Sequence, residues 1–153
     1  MDLFLSRYLN KIDKKGRVSL PSPFRNALPN TNKNEIILYK SIKNNSIEGC
    51  SVQRIEEIAK RINNLDFFSE DHEDFSTSIF SEIISTKLDK EGRFLIPEEL
   101  KNFANLKNEA IFFGQGYYFQ IWEPKNGLNY SQITRKRLLN EKKSLRTILN
   151  QKE

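Results

Sequence analysis

Apolar positions along this chain recur at two short-range periods, and no long uniform stretch separates them. Val18 and Leu20 bracket a polar residue, so a short strand with those two side chains inward turns Arg17 and Ser19 outward. Phe24, Ala27 and Leu28, and later Leu100, Phe103 and Ala104, follow the i, i+3, i+4 spacing of short amphipathic helices. Ser22 before Pro23 predicts the N-cap and first position of the earlier one. Strand-like runs cover residues 35–39, 46–50, 110–113 and 117–122, with Gly114-Gln115-Gly116 read as the turn between the last two. One helical stripe joins Val52, Ile55, Ile58, Ala59 and Ile62, and a second joins Phe75, Ile79, Phe80, Ile83 and Ile84, with residues 69–74 as an acidic loop between them. Ile133, Leu138, Leu139, Leu145, Ile148 and Leu149 predict one basic amphipathic C-terminal helix that frays from Gln151 onward.

These pieces are organised by an internal repeat. At an offset of 76 residues, Asp13-Lys14-Lys15-Gly16-Arg17-Val18-Ser19-Leu20-Pro21 lies over Asp89-Lys90-Glu91-Gly92-Arg93-Phe94-Leu95-Ile96-Pro97, with five of nine positions identical. Each unit reads as strand, D-x-x-G-R turn, strand, short helix and hairpin. One unit leaves an apolar face wet and a strand edge free, so two copies are expected to pair and close one small β-barrel. The expected class is α+β, with repeat one at residues 7–54, a helical connector at 55–82, repeat two at 83–126 and a basic tail at 127–153.

Charge sharpens this picture. The net charge is +5, and residues 132–153, with seven basic and two acidic groups, account for all of it. Elsewhere the signs are segregated: residues 7–25 carry Arg7, Lys11, Lys14, Lys15, Arg17 and Arg25 against Asp13 alone, while residues 65–91 carry eight acids against Lys87 and Lys90. A chain rich in Lys, Asn and Ile also arises from codon bias, so position matters more than the total. The single cysteine, Cys50, cannot form an internal disulfide and reads as a small core residue. His72, the one histidine, reads as a solvated loop residue. Neither is spaced with partners for a metal or a catalytic base, so no enzyme, cofactor or metal site is expected. The opening residues lack a signal-peptide pattern and no apolar run reaches membrane-spanning length, so a cytoplasmic protein is expected.

The D-x-x-G-R turn has two readings that are compatible. Gly16 and Gly92 can take positive φ, and the Asp13 and Asp89 carboxylates can accept turn N–H groups or pair with Arg17 and Arg93 as structural staples. An outward guanidinium flanked by lysines also suits phosphate and guanine. Lys15 becomes Glu91 in the second copy, so the first copy is the better candidate for DNA.

The lead segment containing Phe4 and Tyr8, the paired motifs, Phe24-Arg25 on the first helix, and Phe119-Gln120-Ile121-Trp122-Glu123 resemble the MraZ family over residues 3–140 or so. That resemblance implies a SpoVT-AbrB-like swapped-hairpin fold and a transcription regulator of division and cell-wall gene clusters. It implies binding of double-stranded DNA at short direct promoter repeats, nucleoid association, and a homo-oligomeric ring, octamer or dodecamer. By the motif match, DNA contact falls on Arg17 with Lys15 beside it, and by the internal repeat on Arg93; Lys14 and Arg7 are added from charge and proximity. The resemblance also implies arginines and an alanine, which family members often carry in the helix before the second motif, where this chain has Ile79-Phe80-Ser81-Glu82-Ile83. Two alternatives stay open. One is a scaffold or partner-binding oligomer whose barrel is structural and whose basic tail touches RNA or membrane lipid nonspecifically, whereas the regulator reading expects no membrane and no small-molecule substrate. The other is an antitoxin-like relative, against which two fused motifs argue.

Overall fold

The computed structural model describes residues 2–142 and 144–151. The chain divides into two compact units, Met1–Glu123 and Pro124–Glu153. In the first, β1 (Arg7–Lys11), β2 (Arg17–Ser19), α1 (Ser22–Ala27), β3 (Glu35–Lys40) and β4 (Ile47–Cys50) form the first copy of the repeat. Helices α2 (Val52–Asn63) and α3 (Glu70–Ser78) follow, and then β5 (Ile84–Lys87), β6 (Arg93–Leu95), α4 (Glu98–Phe103), β7 (Glu109–Gly114) and β8 (Phe119–Trp122). The second unit holds α5 (Pro124–Asn140) and α6 (Leu145–Asn150).

The architecture is α+β with antiparallel pairing throughout. A six-stranded sheet runs β1-β7-β8-β4-β3-β5, and β2 pairs with β6 in a separate two-stranded ribbon. The first strand of each copy thus pairs with the hairpin of the other: β1 with β7, and β5 with β3. In the ribbon Val18 lies opposite Phe94, and where the hairpins meet Glu48 lies opposite Gln120. In both places a residue faces its own counterpart, as on a two-fold axis.

The expected closed barrel is not formed. Strands β1 and β5 end the sheet and do not pair with each other. The reason is that each runs into a D-x-x-G turn, which folds the chain back into a ribbon strand. An isolated bridge, Ile12 to Val18, ties the first of these turns to the ribbon. Pro21 and Pro97, which lack an N–H, then end the ribbon strands and start α1 and α4. Pro21, not Ser22, occupies the N-cap of α1, and no side chain caps that end.

Beneath the ribbon both copies supply one core. Val18, Leu20, Phe24, Phe94, Ile96 and Leu100 meet Ile36, Leu38, Ile47, Phe112, Phe119 and Ile121. Its aromatic centre spans ring-centroid separations from 5.2 Å (Phe4–Phe119) to 6.4 Å (Phe94–Phe112). Burial of a side chain this size contributes roughly 2 kcal/mol each. On the other sheet face Ile37, Tyr39, Cys50 and Ile79 form a smaller cluster with Val52 and Ile55 of α2. Cys50 is buried as expected, and the loss of hydration pushes its thiol up to about 12, which keeps it protonated.

Three local expectations are corrected. The acidic loop is the first half of α3, because the Ser69 hydroxyl caps the His72 N–H at 3.1 Å and Glu70, Asp71 and Glu73 suit a helix N-terminus. His72 is therefore helical and half-buried, its ring 5.2 Å from that of Phe67. The expected second stripe is split among α3, a 3-10 turn at Phe80–Glu82 and strand β5, which takes Ile84. The single C-terminal helix is two: Lys142 at φ +50° ends α5, and the Ser144 hydroxyl caps the Thr147 N–H to start α6. Part of the basic tail, Lys143 and Lys152, lies outside the described residues. Among the described residues no helix is long and apolar enough to cross a membrane.

Candidate nucleic-acid interface

Both motif copies fold into the same turn. The Gly16 N–H donates to the Asp13 carbonyl at 3.0 Å, and the Asp13 N–H donates to the Arg17 carbonyl at 2.9 Å. The second copy repeats this with Gly92 and Asp89 at 3.0 Å and Asp89 and Arg93 at 2.8 Å. Closing so tightly needs a left-handed residue before the arginine, which Gly16 (φ +85°) and Gly92 (φ +78°) provide. Asp13 Oδ1 accepts the N–H groups of Lys15 and Arg17, each at 2.9 Å, and Asp89 Oδ1 accepts those of Glu91 and Arg93 at 2.9 and 3.0 Å. Each Oδ2 takes the arginine Nε, at 2.8 Å from Arg17 and 3.0 Å from Arg93. The backbone N–H of the arginine, aided by these other donors, holds both carboxyls below their ordinary value.

The turns are stitched together. Leu20 N–H donates to the Gly92 carbonyl at 2.9 Å, and Ile96 N–H to the Gly16 carbonyl at 3.0 Å. Between them, antiparallel pairing sets Arg17 opposite Leu95 and Ser19 opposite Arg93. Cross-strand partners share a face, so with Val18 and Phe94 buried, these four side chains form the outward face of the ribbon. Arg17 and Arg93 keep 33% and 28% of their side-chain surface exposed.

The two arginines differ in what is left over. With Nε held by Asp13, neither terminal nitrogen of Arg17 has a hydrogen-bond partner among the described residues, and Lys14 and Lys15 stand exposed on the adjoining turn. Arg93 also has Glu91 at 3.5 Å from Nη2.

Of the residues expected from sequence, Arg17, Lys15, Lys14 and Arg93 lie on the ribbon or its turns, and Arg7 does not. It sits at the opposite end of β1, five residues of strand and thus roughly 16 Å from Ile12, with its guanidinium 4.7 Å from the centre of the Phe113 ring. Sequence reasoning missed the role of Arg25. Its Nη1 donates to the Leu20 carbonyl at 2.5 Å and its side chain lies over Gly92, where a Cβ would come within 2.5 Å of Nη1. Arg25 thus braces the second turn from the first copy. Nothing in the local spacing points to the contact with Gly92, because that glycine belongs to the other repeat.

The family model of the MraZ protein, described as antitoxin-like, matches residues 79–151. A protein of Pelagibacter ubique named transcriptional regulator MraZ is 49% identical over 122 residues, which cover 80% of this chain and 79% of that one. The chain belongs to the MraZ family. Further MraZ relatives carry the same name: one from Rickettsia rickettsii is 40% identical over 89% of this chain and 91% of its own, and one from Rickettsia canadensis 38% over 95% and 98%. In this MraZ family member both D-x-x-G-R motifs lead into the ribbon, Arg17 with no partner for its terminal nitrogens among the described residues and Arg93 with a carboxylate beside it.

Proposed function

We propose that the chain is a sequence-specific DNA-binding transcription regulator that lays the β2–β6 ribbon into the major groove and reads bases with Arg17. The observation that carries this reading is the free terminal fork of Arg17 on an outward two-stranded ribbon. A major groove about 12 Å wide admits such a ribbon, and a guanidinium fork matches guanine O6 and N7. Asp13 fixes the fork's direction without neutralising its outer nitrogens, while Lys14 and Lys15 meet flanking phosphates. Arg93 contributes less, and Arg7 lies too far along β1 to join the same contact. The names of the relatives support the regulatory role.

The finer features are proposed with it: short direct repeats in a division or cell-wall gene promoter as the target, and a homo-oligomeric ring that presents several ribbons at regular spacing. The interlocked pairing of the two copies supports the swapped-hairpin description, with the copies at 7–54 and 83–126. Phe67 and Phe68, 72% and 90% exposed between α2 and α3, support self-association. Several weak contacts then act together through effective concentration.

The test is unbiased selection of bound genomic fragments, followed by mobility shifts on the enriched box. One bidentate arginine is worth about 2 kcal/mol of base discrimination, so Arg17→Ala loses roughly thirtyfold in affinity for that box. Binding of Arg17→Ala equal to the unmodified protein overturns the site, and equal affinity for one box and for tandem boxes overturns the multivalent ring. The tail-only alternative predicts no enriched motif and binding that fades uniformly with salt.

A further inference from the structure

Leu95 is an outward-facing leucine at the centre of the ribbon. It is 51% exposed, it pairs across strands with Arg17, and its Cδ1 lies 3.4 Å from where a Cβ on Gly16 would stand. Single exposed leucines are common on protein surfaces. This one is distinguished by its neighbours, since Arg17 stands opposite and Arg93 shares the same face. Gly16 leaves room for the leucine to rest against the turn, which limits its freedom.

We infer that Leu95 is a specificity residue that reads the C5-methyl group of a thymine next to the guanine contacted by Arg17. This rests on the proposed DNA-binding reading. Directly opposed side chains on a β-ribbon lie about 5 Å apart at Cβ, and successive bases on a strand about 3.4 Å. Arg17 and Leu95 therefore fall over positions one or two base steps apart. In the major groove the thymine methyl is the one apolar feature, and an aliphatic side chain is its natural partner. At the matching place beside Arg93 the other copy supplies Ser19, which offers a hydroxyl instead. The ribbon's two ends thus present different chemistry, guanine with thymine at one end and a hydrogen-bonding reader at the other. One protein copy on one box gains a direction, which suits direct repeats more than palindromes.

Replacing thymine by uracil removes that methyl and nothing else. The experiment uses the full-length protein and the duplex box that it enriches from a random library, with each thymine changed to uracil in turn. At one thymine, within two steps of the guanine whose loss mimics Arg17→Ala, binding weakens about fourfold, as expected for one buried methyl. Leu95→Ala binds the thymine and uracil duplexes equally, while Ser19→Ala keeps the difference. The uracil scan on the unmodified protein needs no substitution, so it stands even where Leu95→Ala folds poorly. If no uracil substitution matters, or if Leu95→Ala retains the discrimination, Leu95 does not read the methyl, although an Arg17-dependent box still upholds the regulator. If no box is enriched, the regulator reading falls and this inference with it.

Discussion

The two D-x-x-G-R turns share a backbone and differ in their surroundings. Around the first, Lys14 and Lys15 stand exposed and the terminal nitrogens of Arg17 have no hydrogen-bond partner among the described residues. Around the second, Glu91 approaches Arg93, and Arg25 covers Gly92 while bonding the Leu20 carbonyl. One turn can thus carry an open or a covered arginine without a change in its hydrogen bonds. The aspartate and glycine decide the shape, and the variable third position with one arginine from another element decides the surroundings.

The sharpest way to break this comparison is at the glycines. Alanine at either site must hold positive φ, which costs roughly 1–2 kcal/mol. At Gly92 the new Cβ also collides with Arg25, whereas at Gly16 it only touches Leu95. Gly92→Ala is expected to lower unfolding free energy in urea by about 3 kcal/mol and Gly16→Ala by about 1.5 kcal/mol. Equal losses would remove the bracing role of Arg25.

Next come the arginines. Arg17→Ala is expected to weaken binding to the selected box roughly thirtyfold, and Arg93→Ala less than about fivefold, in mobility shifts at fixed salt. The reverse order would transfer recognition to the second turn. Charge exchange at the third position is expected to do less. Lys15→Glu should weaken binding about fivefold, and Glu91→Lys should strengthen it by a similar factor while steepening the salt dependence by about one counterion. An unchanged salt slope for Glu91→Lys would place that turn away from the phosphates.

The smallest difference is expected with acid. Asp13 and Asp89 are both held below the ordinary carboxylate value of 3.8, chiefly by the backbone N–H of Arg17 and of Arg93. A carboxyl with a depressed folded pKa stabilises the fold above its unfolded value, and that stability is lost as pH falls through the folded one. Between pH 5 and 8 neither turn should change, and below 3.8 both should loosen together. Amide shifts of Gly16 and Gly92 followed by NMR would reveal any separation of the two.

Much of the ribbon could be read directly from residues. The repeat, the period-two spacing of Val18 and Leu20, and the requirement for glycine before Arg17 all act within a few positions. What lay hidden acts between distant positions or through capping. Periodicity says that β1 needs a partner, and it does not say that β7 rather than β3 supplies it. The helix at Glu70–Ser78 has no apolar repeat in its first half, and its signal was the capping serine at position 69. The break after α5 falls on Lys142, a residue type that carries no turn signal. Arg25 read as one more surface charge, because its contact with Gly92 exists only once the copies interlock.

Both strands of the ribbon belong to a single polypeptide, and this governs how it behaves in dilute solution. A ribbon assembled from two separate molecules melts apart as concentration falls, and its unfolding midpoint moves with the amount of protein present. Here the partner strand is tethered, so the pairing of β2 with β6 does not answer to mass action.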